Sequence, residues 1–303
     1  MISSQLEKNQ GRRGNFLYKN LLLIIGIAIL IIVLYQLGLQ NLYSVIISLD
    51  PMVIAALYIM AILNSILLAL RWSYLLGRMD IKPRFNAVLK IVTFTYLANY
   101  VLSKIGDTFL RPVLLKNKNQ ADYDLSLATT IFERMIDMSI ISLISILFFY
   151  FFIEKSFIIL IPIFILFFVL REKIVRYFPK KIRTRLKIRQ LWHNFNSLIK
   201  PKPLFINTAF TATLFALEFG QFFVILYSLF PTANPLMVLG LFYTSFIIGV
   251  ISMIPGGLGT SELSMVALSG LVGIPFELAL ISFLCYRAFN IIGFGTIYLF
   301  TWR

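Results

Sequence analysis

The sequence predicts an all-α protein that crosses a membrane several times. Hydrophobic residues make up 59% of the 303 residues and charged residues only 14%, a composition that soluble domains of this length do not show. Long apolar runs alternate with short polar stretches that hold most of the basic residues, as at the cytoplasmic ends of membrane spans. We therefore expect one integral membrane domain over residues 1–303, with about seven full spans and two broken re-entrant hairpins. The net charge of +15 then marks loops, and we expect no nucleic-acid partner.

The first two apolar runs predict the orientation. Residues 1–19 are polar and basic, and the apolar run 21–39 lacks the small-residue cleavage pattern of a signal peptide, which indicates a retained span. The next segment, 40–50, has no lysine or arginine, whereas basic residues from Arg71 to Arg84 follow the second run, 51–70. This asymmetry predicts a multi-pass protein of the cell membrane with a cytoplasmic N-terminal tail and with the segment Arg71 to Arg84 back in the cytoplasm.

A first irregular region is predicted at residues 85–111. A moderately apolar run, 85–102, is flanked by basic residues on both sides, which a re-entrant hairpin explains and a single full span does not. Asp107 and Arg111 lie four residues apart, so that on a helix they share a face and can pair. The alternative is an ordinary helix at the membrane surface with a solvated ion pair.

Three ionisable residues stand in the first turns of the long apolar run 125–153. Glu133 and Asp137 share a helix face, and Arg134 can neutralise only one of these two acids. We expect either a hydrophilic pocket here or a second cation, Arg111 being the nearest in sequence. The alternative is a solvated helix start at the level of the lipid head groups.

Residues 157–170 predict a short return span, followed by the most basic part of the chain, residues 171–203. We expect this segment to be a cytoplasmic loop between two structural halves that binds anionic head groups. His193 and Cys285 are the only residues of their types, so neither a disulfide nor a His/Cys metal cluster is expected, and no cofactor is indicated.

The second half repeats the first in outline and indicates an internal duplication. Two spans, 204–230 and 236–253, precede a broken segment and a last span, 276–300. A duplication of this kind is typical of transporters, in which interrupted helices build a site between the halves.

The broken segment is the clearest single feature of the chain. Pro255 with Gly256, Gly257 and Gly259 cannot continue a regular helix, and Glu262 follows directly. Irregular backbone at membrane depth requires protein or a water-filled cavity around it, so this segment is a candidate binding or conduction site. We expect Glu262 to pair with Arg287 of the last span; the alternative is a polar surface turn with Glu262 at a helix start.

Five phrases in this order, RWSYLL, NYVLSKIGDTFLRP, ERMIDMSIISL, IPGGLGTSELSMVAL and ELALISFLCYR, resemble the transmembrane region of lysylphosphatidylglycerol synthase, also called the flippase-like or UPF0104 family. The resemblance covers roughly residues 15–300. Two positions depart from the family pattern, which has proline at Ser103 and glutamate at Asp107, so the first broken segment is expected to be less kinked. The residues on the family's patterned positions are Arg71, Trp72, Asn99, Gly106, Arg111, Glu133, Arg134, Asp137, Pro255, Gly256, Gly257, Gly259, Glu262 and Arg287.

The resemblance implies that the protein moves lipids with polar head groups or assists enzymes that modify them. In longer relatives a soluble aminoacyl-transferase domain follows; this chain stops at Arg303, so we expect no such enzyme activity. Two functions stay open: a lipid translocator, and a non-transporting membrane subunit that anchors or regulates a lipid glycosyltransferase or synthase. Phospholipid, aminoacylated lipid and polyprenyl-linked sugar are all compatible substrates. For a translocator, the binding or coupling residues would be Asn99, Asp107, Arg111, Glu133, Arg134, Asp137, Pro255, Gly256, Gly257, Gly259, Glu262 and Arg287.

Overall fold

A computed structural model describes residues 47, 49–119, 122–152, 195, 197–252 and 254–301, and these ranges contain helices and no strands. Two short 3-10 turns, Pro255–Gly257 and Gly270–Val272, flank the sixth helix. In chain order the α-helices within these ranges are α1 (Pro51–Arg78), α2 (Phe85–Asn119), α3 (Tyr123–Phe152), α4 (Pro201–Leu229), α5 (Pro235–Ile251), α6 (Thr260–Ser269) and α7 (Phe276–Phe300).

Four of these helices, α1, α3, α4 and α7, are long and apolar enough to cross a membrane. Helix α5 is apolar but has only 17 residues. The predicted spans 21–39 and 157–170 lie outside the described residues, as do the tail 1–19 and most of the basic loop 171–203. The protein is thus a helical membrane protein, and the total of seven full spans stays a prediction.

Three helices begin where the sequence supplies both a proline and a capping group or a polar turn. Pro51, Pro201 and Pro235 each occupy a first helical position, where a missing N–H costs nothing and the fixed φ suits the helix. The side chain of Asp50 accepts from the backbone N–H of Met52, and Asn234 caps α5 in the same way. Helix α4 therefore begins at Pro201, inside the segment that the sequence predicted to be loop.

The break predicted within residues 103–111 is wrong, because α2 runs as one helix of 35 residues through this region. Its only proline, Pro112, cannot donate to the carbonyl of Thr108 four residues earlier. The hydroxyl of Thr130 on α3 donates to that carbonyl instead, at 3.0 Å. The helix can therefore continue past Pro112, since a neighbouring hydroxyl satisfies the freed carbonyl. The two halves consequently differ, with an unbroken helix in the first and a turn in the second.

The break predicted in the second half is present. Gly256, Gly257 and Gly259 have φ values of 63°, 64° and 79°, in the left-handed region that glycine enters without steric cost. The chain makes one 3-10 turn at Pro255–Gly257 and then starts α6 at Thr260. A Cβ atom at Gly257 would lie 3.1 Å from the Cα of Gly249 on α5, so the turn lies directly against that helix.

Close contacts between small and aromatic residues hold the helices around the turn. Gly293 of α7 faces Ala61 of α1, where an added Cβ would lie 2.5 Å from the alanine methyl group. An aromatic cluster of Phe222, Phe242 and Phe283 joins α4, α5 and α7, with ring centroids 4.9 to 6.2 Å apart. Helices α1, α4, α5 and α7 therefore form a packed frame beside the broken segment.

Candidate functional site: a charge ring, a broken turn and the cavity between them

Six ionisable side chains from α1, α2 and α3 form a closed ring, which we call the charge ring. Arginines and acids alternate around it, so each side chain contacts two of opposite sign. With three of each sign, the ring is neutral as a whole. Its members, in the order of their contacts, are Arg71, Glu133, Arg111, Asp107, Arg134 and Asp137.

Arg71 joins α1 to the two acids of α3. Its Nε donates to Glu133 at 3.1 Å, and its Nη1 donates to Asp137 at 2.7 Å. Nη1 also donates to the hydroxyl of Thr211 on α4 at 2.9 Å. The sequence predicted that Arg71 lies beyond the end of the apolar run 51–70, among the basic residues that follow it. In the structure the residue lies within α1 and is 1% exposed. The apolar run 51–70 ends just before Arg71, so the sequence pattern did not indicate that the helix continues to Arg78.

Arg111 joins α2 to α3. Its Nε donates to Asp107 at 2.9 Å and its Nη1 donates to Glu133 at 3.1 Å. The predicted pairs of Arg111 with Asp107 and with the acid cluster of α3 are both present, and all three side chains are buried rather than solvated. The guanidinium also lies 5.8 Å from the ring centroid of Trp72, whose indole N–H donates to Thr129. Neither surface alternative holds for these residues.

Arg134 closes the ring and is its most exposed member. It donates to Asp107 at 2.7 Å and to Asp137 at 3.2 Å, and its side chain is 23% exposed, against at most 6% for the others. Glu133, the sequence neighbour of Arg134, is instead held by Arg71 and Arg111. The ring therefore includes the sequence-predicted acids but divides them among three arginines.

A second charged group, which we call the turn cluster, fixes the broken segment to α7. Arg287 donates to Glu262 at 2.5 Å, to the hydroxyl of Ser261 at 2.7 Å, and to the backbone carbonyl of Gly256 at 3.0 Å. The predicted pair of Glu262 and Arg287 is thus present. Glu262 lies in the first turn of α6, as the surface-turn alternative had it, but it is fully buried. The guanidinium also lies 4.9 Å from the ring centroid of Phe283.

A group of buried amides between α1, α4 and α7 was not predicted from the sequence. Asn290 donates to Gln221 at 2.9 Å, and Gln221 donates to the backbone carbonyl of Leu57 at the same distance. Asn64 donates to Glu218 at 3.4 Å. These residues stand singly within apolar runs. The sequence feature that could have indicated this group is an amide side chain within an apolar span, since a buried amide requires a polar partner.

One cavity lies between the charge ring, the turn cluster and the amides. Its volume is about 100 Å³, room for several water molecules or a small polar group. Four arginines and two acids belong to its wall, together with polar and aromatic side chains from five helices. The lining includes Asn64, Arg71, Tyr96, Asn99, Tyr100, Arg111, Arg134, Asp137, Phe215, Glu218, Phe246, Gly256, Phe283, Tyr286 and Arg287.

Some of the sequence-predicted site residues line the cavity, and others pack against the lining residues without reaching the cavity. Asp107, Glu133 and Glu262 do not line it; they hold the arginines that do. Pro255 is buried, and Gly257 and Gly259 shape the turn without lining the cavity. In the part of the chain that the structure describes, no group of three His, Cys, Asp or Glu side chains is arranged to hold a metal ion.

Asn99 lines the cavity in a distinct way. Its Oδ1 atom is buried and has no hydrogen-bond partner among the described residues. Buried amide oxygens are nearly always paired, whereas this atom has no donor within the described ranges.

Comparison with known proteins agrees with this architecture. A sequence profile described as the lysylphosphatidylglycerol synthase TM region matches residues 21–297. A stretch of 122 residues, 40% of the chain, is 23% identical to the UPF0104 membrane protein MJ1595 of Methanocaldococcus jannaschii and spans only 36% of that protein's length. Because the profile covers nearly the whole sequence, the chain belongs to the lysylphosphatidylglycerol synthase transmembrane-region family.

Proposed function

We propose that this protein translocates a lipid with a polar head group across the cytoplasmic membrane, or assists that step, and that it does so without catalysing a chemical reaction. The observation that carries the proposal is the cavity, whose wall joins the charge ring to the turn cluster. A head group that enters hydrocarbon loses its hydrogen bonds to water, at a cost of several kcal/mol for each unsatisfied polar group. A polar cavity inside the helical bundle supplies substitutes for those bonds.

The arrangement of charge favours an anionic part of the head group. The cavity wall contains Arg71, Arg111, Arg134 and Arg287, and three of the acids that hold them stand behind it. An arginine presents five N–H donors in a fixed geometry that suits phosphate. Arg134 and Arg287 are the two whose side chains keep measurable exposure, 23% and 12%, and they are the candidates for direct contact with a phosphodiester.

The broken turn offers a means of coupling this contact to movement. Arg287 holds the carbonyl of Gly256, so a phosphate that draws Arg287 away would release the turn as well. The three positive-φ glycines give the turn backbone states that other residues enter only at a cost. In this proposal head-group binding and rearrangement of the turn are one event.

Reconstitution into vesicles tests the proposal. A fluorophore on an acyl chain leaves the head group intact, and a membrane-impermeant reductant then reports how fast inner-leaflet lipid reaches the outer leaflet. We expect faster transfer in vesicles with the protein than in protein-free vesicles. A subunit that only anchors or regulates a lipid-modifying enzyme, with the basic segment 171–203 as its docking surface, would leave transfer at the protein-free rate.

The orientation is a separate part of the proposal and has its own test. Thr232 lies in the turn between α4 and α5, and Lys82 lies between α1 and α2; both are exposed. In intact cells we expect Thr232→Cys to react with an impermeant thiol reagent and Lys82→Cys to stay unlabelled. The native Cys285 is buried and contributes little background. Labelling of Lys82→Cys alone would place the N-terminus outside the cell.

A further inference from the structure

Resting on the proposed function, we propose that Asn99 makes the cavity selective for phosphodiester head groups that carry a hydrogen-bond donor, either a hydroxyl or an N–H group. The cavity then recognises two features of one lipid. Arginine N–H groups contact the phosphate, and the Asn99 side chain accepts from the donor.

The first support is the state of the Asn99 amide. Its Oδ1 is buried without a partner among the described residues, and the residue lines the cavity. Similar unpartnered atoms in the described ranges, on Tyr74, Ser145, Asn207 and Thr244, belong to residues that do not line the cavity. Among the described residues, Asn99 is therefore the position on the cavity wall at which a bound molecule can donate to an unpaired atom.

The second support is chemical. An amide oxygen accepts hydrogen bonds and cannot be satisfied by a phosphate oxygen, which is itself an acceptor. A hydroxyl or an ammonium N–H satisfies it. A site built to hydrogen-bond such a group rejects an analogue that lacks it, because the protein atom is then left buried and unpaired.

The third support is that Arg134 has N–H groups that bond to none of the described residues. Arg134 uses two of its five N–H groups on Asp107 and Asp137. Both of these acids keep a second arginine, Arg111 for Asp107 and Arg71 for Asp137. Arg134 can therefore turn to a phosphate without leaving a ring acid unpaired. The phosphate and the donor-bearing group are then held by different parts of the wall.

The experiment compares lipids of equal head-group charge with and without a donor, in the reconstituted transfer assay with acyl-chain fluorophores. Phosphatidylglycerol carries hydroxyls, and phosphatidylmethanol has the same charge and none. Phosphatidylethanolamine carries N–H donors, and phosphatidylcholine has none. We expect the donor-bearing member to be transferred roughly tenfold faster in at least one pair, the scale of one lost buried hydrogen bond. Preference in the first pair assigns a hydroxyl as the donor, and preference in the second an ammonium.

Variants assign the preference to the residue. Asn99→Leu has a similar volume and no acceptor, and we expect it to bring the two lipids of the preferred pair to equal rates. Thr244→Val is the matched control, because it removes an unpartnered buried hydroxyl away from the cavity and should leave the ratio unchanged.

Each outcome decides between the two proposals. If the wild-type protein transfers all four lipids without preference, the role of Asn99 is overturned and the translocator proposal stands. This measurement needs only the wild-type protein, so it can be made even if Asn99→Leu does not fold. An unchanged ratio in folded Asn99→Leu also overturns it, since another group would then read the donor. If folded Asn99→Leu transfers both lipids of the pair more slowly than the wild-type protein, Asn99 donates to the phosphate and the proposed role as acceptor is overturned. Absence of any transfer by the wild-type protein would overturn the proposed function itself.

Discussion

The charge ring and the turn cluster are both built from arginines and acids, but they differ in redundancy. Every acid in the charge ring contacts two arginines and every arginine contacts two acids. The turn cluster has one arginine and one acid, and its remaining hydrogen bonds go to a hydroxyl and a backbone carbonyl. The ring thus joins three helices that are themselves continuous, whereas the turn cluster holds an interruption in place.

This difference predicts two kinds of behaviour. Removing one charge from a buried, closed network leaves other partners in place, and the cost depends on how many contacts the lost group made. Removing a charge from the turn cluster leaves its partner with the hydroxyl of Ser261 and the carbonyl of Gly256. Because the charge ring joins three continuous helices and the turn cluster holds an interruption, we expect the ring to act mainly on stability and the turn cluster mainly on movement.

Loss of Arg71 is expected to have the largest effect, because this residue donates four hydrogen bonds, against three from Arg111 and two from Arg134. Arg71→Ala leaves Thr211 without the N–H of Arg71, and it leaves Asp137 and Glu133 each with one arginine of the ring instead of two. We expect a loss of about 3–5 kcal/mol in stability, measured by unfolding of the purified protein in detergent. Arg84→Ala, at an exposed position beside α2, is the control and should change stability by less than about 0.5 kcal/mol. Similar stability of the two variants would show that the ring does not hold the helices together.

Three glycines, one in the broken segment and two after α6, give the next effect and separate steric contact from backbone strain. Gly257 has a positive φ and lies against the backbone of Gly249; Gly273 has a positive φ in open space; Gly270 has neither constraint. Substitution by alanine should cost about 1–2 kcal/mol at Gly273, from the backbone alone, and more at Gly257. At Gly270 alanine should be neutral or slightly stabilising. Unfolding in detergent ranks the three, and equal losses at Gly257 and Gly273 would contradict a tight contact between the turn and α5.

The same comparison explains what the sequence could predict. Pro255 and the following glycines are local signals, because a proline and positive-φ glycines break a helix whatever surrounds them. The pair of Asp107 and Arg111 is also local, at one helical turn. The broken segment and this pair were therefore predicted correctly. The pairing of Glu262 with Arg287 was also correct, although these residues lie 25 positions apart.

The closed ring could not be predicted, because its contacts join positions far apart in sequence. Arg71 and Glu133 are separated by 62 residues, and nothing in either run indicates the other. The continuity of α2 was missed because the hairpin was inferred from the basic residues on both sides of the run 85–102. The helix continues past Pro112 because the hydroxyl of Thr130 on the next helix satisfies the carbonyl that Pro112 leaves free.

Arg134 tests the redundancy of the ring directly. Arg134→Ala leaves both of its acids with another arginine, so we expect a loss of about 1–2 kcal/mol, well below that of Arg71→Ala. The single variant has two arginines facing three acids. Adding Asp107→Asn or Glu133→Gln restores the balance, and either double variant should recover part of the loss in detergent unfolding. Equal losses in single and double variants would mean that the charges near Arg134 are screened by water.

Glu262→Gln is expected to have the smallest effect on stability, and it separates the role of the turn cluster in stability from its role in movement. Glutamine keeps the shape and an acceptor for Arg287, and the hydroxyl of Ser261 can accept from the new amide. Arg287 also keeps the carbonyl of Gly256 and the face of Phe283, so we expect a loss of about 1 kcal/mol or less.

The charge that holds Arg287 in place is nevertheless gone. If Arg287 alternates between Glu262 and a head-group phosphate, the alternation loses one of its two states, and lipid transfer in vesicles should fall strongly at matched protein amount. Gly270→Ala, directly after α6, should leave both stability and transfer unchanged and serves as the control. Full transfer by Glu262→Gln would remove this charge from the mechanism and leave Glu262 the role of a helix-start acid, whose negative charge suits the N-terminus of α6.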